Sequence, residues 1–190
     1  MTEESKGVVD SVKEGIIGAI RGVGEITDAV VDTVSGSLIN AVTRTGNVGG
    51  ALTGAISEVI RGTIQGAAEV GSDLGTTAKG AVLGILRGTK EVGDAAIDTI
   101  SATAGAIVTS TAEVGGDLGA AAKGAVEGAI QGAKDVGLSA EDAASAAASG
   151  ALKAAGEVST TALEQVRNAV TGTISGVKVI VKEPFKRNGE

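Results

Sequence analysis

Hydrophobic and polar positions along this chain recur every 22 residues. From Glu25 onward, each unit opens with an acidic or amide residue, continues with Val or Ile, and usually follows with a small residue, as in Glu69-Val70-Gly71. Twenty-two is twice eleven, and eleven residues complete about three helical turns at about 3.67 residues per turn. A phase kept at every step predicts one long helical face in place of a globular core or a catalytic pocket. The units begin at Glu3, Glu25, Asn47, Glu69, Glu91, Glu113, Asp135 and Glu157.

Aliphatic residues concentrate at positions 2, 6, 10, 14 and 18 of the unit. This spacing is helical, since a strand would alternate every two residues. The positions project onto one continuous arc of roughly 130°, wider than a coiled-coil seam. We call this arc the apolar face. It contains Ile20, Ile26, Val30, Val34, Leu38, Val42, Val48, Leu52, Ile56, Ile60, Ile64, Val70, Leu74, Val82, Leu86, Val92, Ile100, Val114, Leu118, Val126, Ile130 and Val136.

A second sector, at positions 12, 16 and 20, is rich in glycine, and we call it the glycine face. Each glycine inside a helix costs about 0.8–1 kcal/mol relative to alanine, so such a helix needs stabilisation by lipid, by other helices or by dehydration. The G-x-x-x-G spacing has two interpretations: close helix packing, or a face that is kept thin and non-adhesive. The members are Gly18, Gly22, Gly62, Gly66, Gly80, Gly84, Gly88, Gly124, Gly128, Gly132, Gly172 and Gly176.

Basic residues border the apolar face, where long aliphatic stems can lie on apolar surface. Acidic residues gather further round the helix, at positions 1 and 8, and an ordinary solvated face explains both sets of charges. The basic edge consists of Lys13, Arg21, Lys79, Arg87, Lys90, Lys123, Lys134 and Arg167.

The amino-acid composition lacks the side chains on which most catalytic and metal-binding sites depend. The chain has no His, Cys, Trp or Tyr, so it lacks imidazole and thiolate groups for catalysis or metal binding. We expect no enzyme activity, no cofactor, no metal and no small-molecule substrate. A net charge of −7 argues against nucleic acid as a partner, which leaves a lipid surface or a second copy of the chain.

The N-terminal residues are acidic and lack the apolar core of a signal peptide. No uncharged stretch reaches the ~20 residues that cross a bilayer. We therefore expect a cytoplasmic protein, peripheral to a membrane or to another apolar particle, without a recognisable secretion signal.

Candidate breaks interrupt the pattern at Gly49-Gly50, Gly71-Ser72-Asp73, Gly115-Gly116-Asp117 and Gly137-Leu138-Ser139. Because the phase survives them all, the sequence favours a continuous helix over hairpins of 22- or 44-residue units. The predicted organisation is an N-terminal end (1–4), a helical repeat region (5–178) and an irregular basic tail (179–190). The fold class is all-α: a long amphipathic helix, or long helical hairpins, with no globular core.

Segments such as Thr77-Ala78-Lys79-Gly80-Ala81-Val82 and Arg87-Gly88-Thr89-Lys90-Glu91-Val92 combine Gly, Val, Thr, Ala and Lys with almost no aromatic residues. In these features the chain resembles lipid-coating proteins with 11-residue repeats, the synucleins and the repeat region of the perilipins. That resemblance implies a chain that is disordered in water and helical along membranes or droplets. The negative net charge departs from those families. The chain is also similar to late-embryogenesis-abundant proteins with 11-residue repeats, which are more hydrophilic.

The first functional hypothesis is an amphipathic helix that coats a lipid membrane or other apolar surface, through many weak contacts in register. The alternative is a self-assembling helical protein that forms a bundle, coat or filament through its glycine and apolar faces. A third hypothesis is protection against desiccation, with helix forming on drying.

Overall fold

The chain folds into successive helices followed by a short β-hairpin. The computed structural model describes residues 3–22, 25–45, 48–91 and 97–181. The helices are α1 (Glu3–Gly22), α2 (Ile26–Thr45), α3 (Val48–Glu69), α4 (Leu74–Glu91), α5 (Ile97–Glu113), α6 (Leu118–Gly132), α7 (Ala140–Val158) and α8 (Thr160–Val170). A 3-10 turn over Ala133–Val136 follows α6, and the hairpin strands are β1 (Gly172–Ile174) and β2 (Val177–Val179).

The described residues form separate helices, about one to each 22-residue unit, so the prediction of a continuous helix is wrong. At the end of α3, the amide of Ser72 donates to the carbonyl of Ala67 at 2.9 Å, and Gly71 has a φ of 68°. This left-handed glycine ends the helix in a Schellman motif. Asp73 then accepts a hydrogen bond from the amide of Thr76 at 2.7 Å and starts α4.

The same combination of a left-handed glycine and a capping residue recurs at two of the other three candidate breaks. Gly115 and Gly137 have φ values of 68° and 74°, and the helices that follow are capped by Asp117 and Ser139. The structure thus has turns at these three candidate breaks, where the sequence favoured a continuous helix. The phase survives these three turns because each has its left-handed glycine at the same point of the repeat, position 3 of the unit. The turn predicted at Gly49-Gly50 is wrong, since both residues lie in the first turn of α3, where unpaired amides make glycine tolerable.

The helices form two layers, with α1, α3, α5 and α7 in one and α2, α4, α6 and α8 in the other. The most extensive helix pairs lie within the layers: α2 with α4, α5 with α7, and α4 with α6. Successive helices also contact each other across the layers. Helices within a layer run parallel, because Gly80, Gly84 and Gly88 of α4 follow residues of α2 in ascending order. The architecture is a stack of helical hairpins, in which each repeat buries its surface against its neighbours.

A contiguous hydrophobic core runs through the stack, so the prediction of a helix without a globular core is wrong. Each helix contacts neighbours in its own layer and in the other layer. Its apolar face is therefore covered by other helices and is not left exposed. Buried members of the apolar face are Val30, Val34, Leu38, Val42, Leu52, Ile56, Ile60, Ile64, Val82, Leu86, Ile100, Leu118 and Val126. Half-buried members are Ile20, Ile26, Val70, Leu74, Val114, Ile130 and Val136. The side chains of Val48 and Val92 lie outside the described residues.

The core is wider than the arc that the sequence indicated. Val59, Ile85 and Ile107 occupy positions 13 and 17 of their units and are fully buried. Alanine fills much of the remaining interior, including Ala125 and Ala129 of α6. The extra positions are buried because two layers enclose each helix from more than one side.

The eighth unit changes structure halfway. Helix α8 ends at Val170, and β1 pairs antiparallel with β2, with Ile174 opposite Val177. Ser175 and Gly176, between the strands, have φ values of 48° and 80°, which suit a type I′ turn. Gly172 also has a positive φ, of 104°, so Gly172 and Gly176 serve the hairpin and not a helical glycine face. The predicted basic tail beyond residue 181 lies outside the described residues.

Candidate interaction surfaces

The glycine face inside the stack is a surface of close helix packing. A Cβ atom at Gly62 of α3 would lie 2.6 Å from the carbonyl oxygen of Val9 and 2.8 Å from the Cβ of Val12, both in α1. Distances of this size leave no room for a side chain. Such proximity also brings glycine Cα–H groups towards backbone carbonyls, a weak but recurrent attraction between helices.

The contact repeats along both layers. A Cβ at Gly84 of α4 would lie 2.7 Å from the Cβ of Val34, and one at Gly128 of α6 would lie 2.6 Å from the carbonyl oxygen of Lys79. Of the two interpretations left open by the sequence, the structure shows close packing at these positions. The buried glycines of the face are Gly62, Gly66, Gly80, Gly84, Gly88, Gly124, Gly128 and Gly132.

Two further glycines belong to this packing although they were not among the predicted residues. A Cβ at Gly150 of α7 would collide with the carbonyl of Ser101 in α5, and the carbonyl of Gly75 faces Gly124. Gly150 occupies position 16 of the seventh unit, between Ala146 and Ala154 at positions 12 and 20. Its position in the 22-residue repeat is the sequence signal that could have identified Gly150.

The first two helices leave the same sector uncovered. Gly18 and Gly22 of α1 and Gly36 of α2 are exposed, and no atom lies within 4 Å of a Cβ built at any of them. No earlier helix precedes α1 and α2 in either layer of the described stack. We call this surface the open end, and define it by Glu14, Gly18 and Gly22 of α1 with Gly36 of α2.

Ion pairs link helices within a layer. Lys13 of α1 lies 2.5 Å from Glu69 of α3, Arg87 of α4 lies 2.9 Å from Asp32 of α2, and Arg61 of α3 binds Glu113 with two hydrogen bonds of 2.9 and 2.5 Å. Hydrogen bonding and charge attraction from Glu69 raise the pKa of Lys13. Part of the basic edge thus serves helix stacking, although exposed pairs of this kind contribute little each.

The other residues of the basic edge are spread over the surface. Lys79 is half-buried beside the α4–α6 contact. The exposed members are Arg21, Lys90, Lys123, Lys134 and Arg167. Arg21 and Glu14 stand two helical turns apart on α1, and among the described residues neither has an ion-pair partner.

A shallow groove of about 520 Å³ crosses the outer surface of α3, α5 and α7. Its lining includes the small residues Ala102, Gly105 and Ala106 of α5 and the charged residues Lys153 and Glu157 of α7. Within the described part of the chain, no cluster of three acidic residues is placed to hold a metal ion. The lowered pKa of Asp73 reflects its hydrogen bonds to Thr76 at a helix start, a structural role. The groove is lined by hydroxyl groups, small side chains and charged side chains.

No helix among the described residues is both long and apolar enough to span a bilayer.

The comparisons with known proteins concern the fold. No protein-family model and no curated protein matches the chain. Among solved structures, the crystal structure of a de novo designed helical repeat protein is similar, with a TM-score of 0.53 and 19% sequence identity. The match covers 87% of this chain and 91% of the designed one. The chain therefore has a helical repeat fold, and at this identity the likeness extends to the fold alone.

Proposed function

We propose that this protein is a non-enzymatic structural protein that associates with a second copy of itself through the open end. The observation that carries the proposal is the glycine face: α3, α4 and α6 bury it against the helix two positions earlier, whereas α1 and α2 leave it uncovered. A surface used repeatedly for close helix contact inside the chain is suited to close helix contact between chains.

The residue types on α1 match those that α3 uses for its internal contact. α3 contacts α1 with Gly62 and Gly66, and Glu58 precedes them at position 12. α1 presents Glu14, Gly18 and Gly22 at the same three positions of its own unit. The open end thus repeats the residue types of an interface that the fold already forms.

Charge supports a two-fold arrangement of the chains. In an antiparallel pairing of two α1 helices about Gly18, Glu14 of one chain approaches Arg21 of the other, and the reverse contact forms by symmetry. Isologous contacts of this type close on themselves and give dimers. Each chain thereby supplies both members of a complementary pair.

Lipid coating has less support. The apolar side chains that would enter a headgroup layer lie in the core, and their exposure requires the helices to separate. The proposal predicts a strongly helical circular dichroism spectrum in lipid-free buffer that neutral or anionic vesicles leave unchanged. A coil-like spectrum that becomes helical with vesicles would favour the lipid hypothesis, and helix formed only on drying would favour desiccation protection.

Sedimentation velocity tests the self-association directly. Wild-type protein is expected to reach twice the chain mass of 18.3 kDa as its concentration rises. The variant G18L/G22L is expected to stay monomeric, because leucine side chains keep the two backbones apart. Gly54→Leu is the matched control, since Gly54 is exposed on α3 with nothing within 4 Å of its Cβ position. A wild-type monomer at all concentrations, or dimerisation unaffected by G18L/G22L, would contradict the proposal.

Charge reversal tests the arrangement. E14R and R21E alone each place like charges together in the two-fold pairing and should weaken the dimer. The double variant E14R/R21E restores opposite charges and should recover most of the lost affinity. Additive losses in the double variant would exclude the antiparallel pairing of Glu14 with Arg21.

A further inference from the structure

The β-hairpin lies at the end of the stack opposite to the open end. β2 packs against α7 and β1 contacts α6, so the hairpin touches both layers. Ile174 and Val179 are 5% and 7% exposed and belong to the same hydrophobic core as the helices. The hairpin is therefore an integral part of the packed fold.

The internal contacts show which surface of a helix receives the next helix of its layer. Gly128 of α6 lies over Lys79 and Val82, at positions 11 and 14 of the unit that forms α4. The equivalent residues of α7 are Ser145 and Ala148. No further helix follows α7 in its layer within the described residues, yet Ala148 is fully buried and β2 packs on α7.

The sequence of the eighth unit explains why a hairpin forms here. Thr173, Ile174 and Val177 are β-branched and favour strands. Gly176 supplies the positive φ of the turn between them. The hairpin therefore replaces the second half of the helix that the eighth unit would otherwise form.

We propose that the hairpin is a stop for self-association: it covers the α7 surface on which the open end of another copy would stack. This inference rests on the proposed function. While the hairpin is in place, assembly is confined to the open end and closes as a dimer. Once it is released, the open end of one chain fits the α7 end of the next, and such head-to-tail contacts add chains without closing.

The test compares two variants of the full chain with equal added charge. I174D/V179D places carboxylates at buried hairpin positions and should detach the hairpin. T173D/I180D is the matched control, because Thr173 is exposed and Ile180 is 60% exposed. Faster tryptic cleavage after Lys178, with an unchanged helical circular dichroism spectrum, verifies release. G172V/G176V, which puts valine at two positive φ values, is a second releasing variant that adds no charge.

Sedimentation velocity and negative-stain electron microscopy give the readout. Both releasing variants should form a concentration-dependent series of species larger than two chains, and the control should remain dimeric. Adding G18L/G22L to a releasing variant should abolish the series. A released hairpin with a dimer of unchanged mass overturns the stop, whereas a monomeric wild type overturns the proposed dimer. A monomeric wild type whose released variants still polymerise would support the stop and contradict the dimer.

Discussion

The glycine face occurs in two settings in this molecule. In α3, α4 and α6 it is buried, and backbones approach too closely for any side chain. In α1 and α2, glycines at equivalent repeat positions face open space. The comparison shows that two factors act separately. Glycine at a repeat position permits close packing, and the place of the helix in the stack decides whether a partner helix is present.

The largest effect is expected from a bulky side chain in the buried setting. Gly128→Leu should destabilise the fold by about 3 kcal/mol or more, because the new Cβ meets the carbonyl oxygen of Lys79 at 2.6 Å and backbones must separate. Urea unfolding followed by circular dichroism measures the loss. Gly54→Leu, at an exposed position, should be neutral or stabilising, and equal losses in the two variants would remove the distinction between the settings.

A smaller change, the addition of one methyl group, tests the same comparison at position 16 of two units, one buried and one exposed. Gly62→Ala should cost roughly 1–3 kcal/mol, since the clash with Val9 exceeds the gain in helix propensity. Gly18→Ala should stabilise a monomeric chain by about 0.5–1 kcal/mol. The measurement is chemical unfolding at a concentration below the association range. The gain at Gly18 should shrink at higher concentration, and a constant gain would speak against contact between open ends.

The smallest effect concerns two threonines beside this sector, both at position 21. Among the described residues, the buried hydroxyl of Thr111 has no hydrogen-bond partner, whereas that of Thr89 donates to the carbonyls of Ile85 and Leu86 at 2.9 and 3.0 Å. Thr111→Val should raise stability by about 1 kcal/mol, since it removes an unpaired buried group. Thr89→Val should lower it by roughly 1 kcal/mol. Thermal unfolding distinguishes the signs, and a loss in both variants would mean that Thr111 is hydrogen-bonded in solution.

Local chemistry made much of the fold predictable. The 22-residue period identified helical structure. A glycine followed closely by a capping residue marked Gly71, Gly115 and Gly137 as candidate turns, although the sequence favoured a continuous helix through them. The aliphatic positions likewise predicted which side of each helix is apolar. The helical spacing, the candidate turns and the apolar faces all depend on residues within a few turns of each other, so the sequence alone could indicate them.

Tertiary structure decided what those surfaces contact. Phase alone does not distinguish a continuous helix from helices that break at the same point of every unit, because both keep the period. The repeat phase also does not show that Gly84 packs against Val34 or that Arg87 forms an ion pair with Asp32. Both contacts join residues about 50 positions apart in the sequence. The sequence by itself determined the helices and their faces. Stacking in two layers determined the core, the open end and the hairpin-covered end, because burial depends on neighbours that only the folded chain brings together.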